Sequence, residues 1–343
     1  IVHFARRIFE IKGSEGVAIK LSTAIAIYGA GVVGSLAYCW SDTFWFSAVE
    51  GEVYAMSSLF TAIVFWAMLE WEEEAHQPYA NRWIVLIAFL MGLSIGVHLL
   101  NLLTIPAMVF LYYFKMYEVT AKRTWKVLFI AVALLAFILF GMIPYIPKFS
   151  AYADLLFVNL LGLPVNSGAT CFMLMLIGLG VWGFYYTYKR AKVLLNTIIL
   201  CFTMIVIGYS TFAVVVIRSS ANTPTNEYMP DNPFTLVRYL GREQYGSAPL
   251  LYGETFASPM VSLKTPTYYN FVDGKYEKLE APVEPEYDPA TKMLFPRMYT
   301  GGAGNSYIGF YNMYTQGKGR SIVGSEFKQP TFGANLAYFF DYQ

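Results

Sequence analysis

The stretch WSDTFWFSAVEGEVY, residues 40–54, holds three carboxylates, Asp42, Glu50 and Glu52, among aromatic side chains, and no lysine or arginine occurs between Lys20 and Arg82. Carboxylates with no cation nearby are either solvated in a loop or held ready to accept a proton or a hydrogen bond. His98 and Asn101 sit in GVHLLNLLTIP, read as the next turn on the same side. A neutral imidazole beside a carboxylate suits proton handling or the holding of a phosphate, whereas a lone histidine at a helix end can simply be a cap. Arg238 and Arg242, spaced i and i+4, offer guanidinium forks that match phosphate oxygens, or else arginines snorkelling to the headgroups.

The elements that must position these groups follow from composition. Hydrophobic residues make up 56% of the 343, charged residues only 14% and aromatics 18%, with a mean hydropathy of +0.45. A soluble domain carries about a quarter charged residues, so this is a polytopic membrane protein, and its lipid bilayer is the first partner implied. A net charge of +1 with no basic face excludes a nucleic-acid partner. Cys39, Cys171 and Cys201 lie in or beside apolar runs, spaced like neither a disulfide framework nor a zinc site. The chain opens on Ile1 within an apolar run and stops on the aromatic FGANLAYFFDYQ, so further chain is expected on both sides.

Seven apolar blocks are read as crossings: 21–39, 54–69, 83–97, 102–114, 127–146, 169–187 and 193–217. Joining the third and fourth would give a single helix roughly 48 Å long in a hydrocarbon core of roughly 30 Å. Loop charge decides against that. With a hairpin near VHLLNLLTIP, the basic groups at 6–20, 115–126 and 189–192 all share one side, the cytoplasmic one, and the acidic stretch takes the other. The cluster Glu70, Glu72, Glu73 and Glu74 on the basic side is the one departure. If the second helix begins near Val49, Glu50 and Glu52 point to nearly opposite sides and only one of them faces a shared cavity. The outer segment 147–168 adds Lys148, Asp154, Asn159 and Asn166.

GAGVVG, residues 29–34, fits the dinucleotide fingerprint, but it lies inside an uncharged run rather than in a strand-to-helix turn. Close helix packing, with Ala30 and Gly34 at small-xxx-small spacing, is the better reading. After a membrane domain of residues 1–218, residues 219–343 read as an α+β extramembrane region. DNPFTLVRYL is a short amphipathic helix capped by Asp231 or Asn232, and PLLYGETF and PTYYNFVDGKYEKL are strands, the second turning at Asp273-Gly274.

The blocks WFSAVEGEVYAMSSLFTAI, FLMGLSIGVHLLNLLTIPAM and STFAVVVIRSSANTPTNEYMPDNPFTLVRYLGREQYG resemble a bacterial family of polytopic proteins related to protein O-mannosyltransferases, with a eukaryotic transmembrane O-mannosyltransferase relative. The resemblance implies a GT-C glycosyltransferase fold, of which this chain carries about seven helices. It implies a polyprenyl-phosphate-linked sugar as donor, a protein or glycan hydroxyl as acceptor, and a site on the periplasmic face of the bacterial inner membrane, with residues 219–343 on that side. In such enzymes the principal acid lies on the first outer loop, expected before Ile1. Glu52, in its E-V-Y setting, with Asp42 and His98, then falls to the catalytic side of the site. Glu50, Trp45, Tyr54, Asn101, Arg238 and Arg242 fall to substrate binding, the aromatics stacking on a sugar face. No cofactor is required by this reading, and a divalent metal is compatible with it. A transporter or flippase of a lipid-linked or small polar solute is the rival, and a non-catalytic scaffold a third reading. The polar groups collect at one face without a repeat, which favours the transferase.

The charge pattern makes a direct prediction. In a background without native cysteines, single cysteines at Ser41 and Ser247 label with an impermeant thiol reagent in intact cells, and one at Thr124 does not; the reverse pattern would invert the topology.

Overall fold

A computed structural model describes residues 1–9, 19–226, 228–243, 251–254 and 258–294. It comprises two compact units, Ile1–Leu236 and Val237–Gln343. The first is all helix: α1 Val2–Ile8, α2 Leu21–Cys39, α3 Asp42–Val49, α4 Tyr54–Glu74, α5 Asn81–Ile95, α6 Thr104–Met116, α7 Ala121–Ala136, α8 Ile143–Leu161, α9 Ser167–Lys189, α10 Val193–Tyr209, α11 Ala213–Ser220, with α12 Pro233–Leu240 at its end. Among the described residues six helical segments are long and apolar enough to cross a membrane, and α5 is a shorter apolar helix of 15 residues. The expected hairpin is present. The chain reverses between Ile95 and a 3-10 turn at Leu99–Leu103 that leads into α6, and Pro106 falls in the first turn of α6, where its missing N–H costs nothing.

A short helix can lie within a bilayer-thick bundle only if its neighbours cover it. Ile87, Met91 and Ile95 of α5 are buried with Val64, Ala67 and Met68 of α4, Ile105 of α6, Ile146 of α8 and Val206 and Tyr209 of α10. The backbones of α5 and α10 approach closely. A β-carbon on Gly208 would stand 2.6 Å from the Leu93 nitrogen and 2.7 Å from the Phe89 carbonyl oxygen, and one on Gly92 would strike the Ile205 backbone. The two helices run parallel, since Asn81 bonds Thr197 at one end and Gly96 meets Thr211 at the other. Without a hydrophobic driving force between helices in lipid, such close backbone approach is what holds a pair together.

The fifth apolar block extends further than the sequence suggested. Ala121–Leu161 is continuous over 41 residues, with a π-helical turn at Phe137–Met142, so the first part of the expected outer loop 147–168 is helix. Pro147 sits inside α8 and cannot donate to the carbonyl of Ile143. Tyr209 of α10 supplies the missing donor, its hydroxyl bonding that carbonyl at 2.8 Å. This repair explains how proline is tolerated in mid-helix and ties α8 to α10.

The GAGVVG segment is helix within α2, and two of its three glycines meet the α1 end of the chain. They are not the expected Ala30–Gly34 pair: Gly31 faces the Val2 side chain, Gly34 faces Ile1, and Gly29 faces open space. Asn232 is the cap of α12, its side-chain oxygen accepting from the Phe234 and Thr235 N–H groups at 3.1 Å. The same segment stays with the helical unit because Asn166 donates to the Asp231 carbonyl and the Tyr152 and Phe234 rings meet at 5.7 Å. Compactness therefore divides the chain after Leu236, later than residue 218, where the apolar composition ends.

In the second unit, β3 Thr267–Val272 and β4 Lys275–Glu280 form the expected hairpin, with Asp273 at φ 46° and Gly274 at φ 87°, as a primed two-residue turn requires. With β1 Tyr252–Gly253, β2 Met260–Lys264, β5 Glu284–Tyr287 and β6 Met293–Leu294, the pairings are β1–β6, β2–β5 and β3–β4, all antiparallel. Of PLLYGETF only 251–254 are described, and two of those residues are strand.

Two substitutions test this account. Gly208→Val forces α5 from α10 and is expected to lower the thermal midpoint in detergent far more than Gly29→Val. Tyr209→Phe leaves the Ile143 carbonyl buried and unpaired, a loss of about 1–3 kcal/mol. Unchanged midpoints for both would remove the seam and the proline repair from the account.

Candidate functional site

The acidic stretch is not a plain loop. Residues 42–49 form α3, with Asp42 in the first turn, where a carboxylate complements the helix dipole. Glu50 is the C-cap, and Gly51 follows at φ 71°, a left-handed conformation that suits glycine and reverses the chain. Glu52 lies in the link before α4 begins at Tyr54. The expectation that Glu50 and Glu52 share a helix beginning near Val49 is thus corrected. Gly51 separates them, and both are exposed. Trp45 is 52% exposed on α3. Among the described residues none of the three acids has an ion pair or side-chain hydrogen bond.

Tyr54 joins this segment to the α5–α6 turn, since its ring lies 5.5 Å from that of His98. His98 has extended backbone and its Nδ1 accepts the Leu100 N–H at 3.1 Å, capping the 3-10 turn. A neutral ring with Nδ1 as acceptor carries its proton on Nε2, which is thereby a hydrogen-bond donor. Asn101 is fully buried: its amide donates to Ser94 Oγ at 3.0 Å and Met91 Sδ at 3.4 Å, and its carbonyl accepts from Thr104. It braces the turn from within. Its Oδ1 has no partner among the described residues, and neither has the buried Ser57 Oγ on α4. Among the described residues no three His, Cys, Asp or Glu side chains converge as metal ligands would.

The remaining sequence candidates are dispersed. Asp154 is fully buried and accepts from the N–H groups of Asn166, Gly168 and Ala169 at 2.8–3.2 Å, so it is the anionic cap of α9. Arg238 and Arg242 do not share a helix face, because α12 ends at Leu240 and Arg242 stands beyond it at φ 53°. Arg238 bonds Glu243 at 2.8 Å and lies 3.9 Å over the Tyr268 ring. Burial alone would lower its pKa, but the Glu243 bond and charge outweigh that and raise it. An open cleft of about 760 Å³ beside Asn166, Ser167 and Thr170 of the α8–α9 connection and α9 includes Asn166 of the outer segment but none of the acids, histidine or arginines singled out in the sequence. Its walls are mostly apolar, whereas at the Tyr54–His98 contact an oriented imidazole lies against the first residue of α4, two positions after the exposed Glu52.

The acids at the other end behave differently. Glu72 bonds Arg7 at 2.6 Å, Glu73 contacts His3 at 3.0 Å, Glu74 accepts from Arg82 and Trp83 at 2.8 Å, and Glu70 accepts from Trp66 at 2.9 Å. The departure from the charge rule is therefore a paired structural cluster fastening α1 and α5 to α4.

These features define a multi-pass membrane protein with unpaired acids and a donor-poised histidine gathered at one end of its helical unit. Residues 1–121 match the family model described as protein O-mannosyl-transferase TMEM260 N-terminal domain. The chain is related to the protein O-mannosyltransferases through that region, which contains Asp42, Glu50, Glu52, Tyr54, His98 and Asn101. Residues 246–340 match a family of unknown function, DUF8416. No curated protein and no solved structure matches the chain.

Asp154→Asn removes a buried carboxylate that accepts three N–H groups, and is expected to lower stability by on the order of 2–3 kcal/mol. The check is the unfolding midpoint. A change indistinguishable from that of Asp42→Asn would contradict the capping role.

Proposed function

We propose that the chain forms part of a membrane glycosyltransferase that passes a sugar from a polyprenyl-phosphate-linked donor to a protein or glycan hydroxyl. In this reading the acidic end faces the periplasm across a bacterial inner membrane. The observation that carries it is the contact of Tyr54 with His98, within the region related to O-mannosyltransferases. What supports the reading is that Tyr54, two residues after Glu52, contacts an imidazole whose Nε2 makes no hydrogen bond among the described residues.

The chemistry fits those groups. A carboxylate accepts the proton of the acceptor hydroxyl as its oxygen bonds the anomeric carbon, and the bond from that carbon to the phosphate oxygen breaks with its electron pair. The departing polyprenyl phosphate then needs a hydrogen-bond donor, which His98 Nε2–H provides. Glu52 orients or deprotonates the hydroxyl, Asp42 adds negative charge at the same end, and Tyr54 with Trp45 offers a sugar face. Glu50, fixed as the α3 cap, has the lesser part. Arg238 is engaged by Glu243 and Tyr268 and takes no part in this proposal. The reaction as written needs no bound metal.

Full-length protein is expected to release free polyprenyl phosphate from a polyprenyl-phosphate sugar only when a hydroxyl-bearing acceptor is present. Glu52→Gln and His98→Ala lower that turnover by roughly a hundredfold or more, the loss expected of a general base or an oxyanion donor, while Glu50→Gln lowers it much less. Solute movement across vesicles without turnover would establish the transporter instead.

A further inference from the structure

The turn between α9 and α10 carries Lys189, Arg190 and Lys192, all exposed, and the sequence has no aspartate or glutamate between Asp154 and Glu227. Elsewhere on the same end of the bundle, Arg7 and Arg82 are spent on Glu72 and Glu74. Here the cations have aromatic partners instead. Lys189 Nζ lies 4.5 Å over the Tyr185 ring and the Arg190 guanidinium 4.3 Å over Tyr186, which itself stacks on Trp182 at 5.5 Å.

The direction of these contacts matters. Each cation folds back one turn along α9 onto a ring at the end of a helix long and apolar enough to span a membrane, the position where aromatic residues commonly meet lipid headgroups. The turn is also rigid. Ala191 is held at φ 51°, the Lys192 N–H bonds the Thr187 carbonyl at 3.1 Å, and Asn196 donates to the Phe184 carbonyl at 2.8 Å and to Thr187 at 2.9 Å, closing the C-terminus of α9. Cations at the end of a spanning helix, braced by these contacts and without an ion pair among the described residues, are complementary to an anionic phosphate.

We propose that the α9–α10 turn is a docking surface for anionic phospholipid, the headgroup phosphate seated between Lys189 and Arg190 with Lys192 adding charge. The guanidinium fork donates to phosphate oxygens, and the exposed tyrosines cover the glycerol region. This surface is independent of the proposed transferase site and needs no assumption about the reaction.

The test is native mass spectrometry of the full-length protein released from nanodiscs of equal phosphatidylglycerol and phosphatidylcholine. The wild type is expected to retain phosphatidylglycerol in preference. The combined Lys189→Gln, Arg190→Gln and Lys192→Gln variant should lose about a hundredfold in that preference, taking roughly a fivefold gain per cation near an anionic surface. Lys115→Gln, Lys122→Gln and Lys126→Gln at the α6–α7 turn should leave it in place. Equal retention of both lipids by the wild type overturns the proposal, and that measurement stands even if the triple variant does not fold. A triple variant that keeps its phosphatidylglycerol, or an equal loss from the α6–α7 variant, overturns it as well.

Discussion

The close approach of α5 and α10 is the constraint on which the helical unit depends. At 15 residues, α5 is about 22 Å long and cannot cross a hydrocarbon core by itself. It remains in the bundle because Gly92 and Gly208 let its backbone meet that of α10. Once α5 is fixed, the turn that follows must carry His98 back toward the start of α4, and the Tyr54 contact follows from that placement. A β-carbon at either glycine would therefore act on the candidate site from a distance, by moving the helix that ends beneath it.

Polar groups inside the unit obey a strict rule with few exceptions. The carbonyl freed by Pro147 is taken by Tyr209, the N-terminus of α9 by Asp154, and the C-terminus of α9 by Asn196. Each repair joins two helices that lack a hydrophobic reason to associate in lipid. Buried side-chain atoms without a hydrogen-bond partner among the described residues occur at both ends of the unit, Asn101 Oδ1, Ser57 Oγ and Ser167 Oγ as well as His3 Nε2 and Trp71 Nε1, while the unpaired Asp42, Glu50 and Glu52 all belong to α3 and the link to α4.

Charge is divided between structural and surface duties. The glutamates at 70–74 lie in the last turns of α4, at the end that the positive-inside rule treats as cytoplasmic, and each has a polar partner: Arg7 and Arg82 offset the charges of Glu72 and Glu74, while Glu70 accepts from Trp66 and Glu73 contacts His3. The cations at 189–192 are the converse, balanced by π faces rather than carboxylates. Loop charge alone does not separate these cases, since a paired acid and a solvated acid read identically in sequence.

The sequence by itself determined the membrane class, the seven apolar segments, the hairpin at 98–106 and the Asp273-Gly274 turn, and it narrowed the α12 cap to Asp231 or Asn232. These features rest on length, apolar content and local backbone preference, which short windows contain. It also pointed to Asp42, Glu52 and His98 as residues at one end. Only the tertiary structure decided that Asp154 caps α9, that Asn101 is a buried brace, that Arg238 bonds Glu243 while Arg242 stands off the helix, and that Gly51 separates Glu50 from Glu52. Whether a polar side chain is spent or available depends on which helix lies opposite, and in lipid that is set by backbone approach at glycines such as Gly92 and Gly208, whose partners are more than a hundred residues distant.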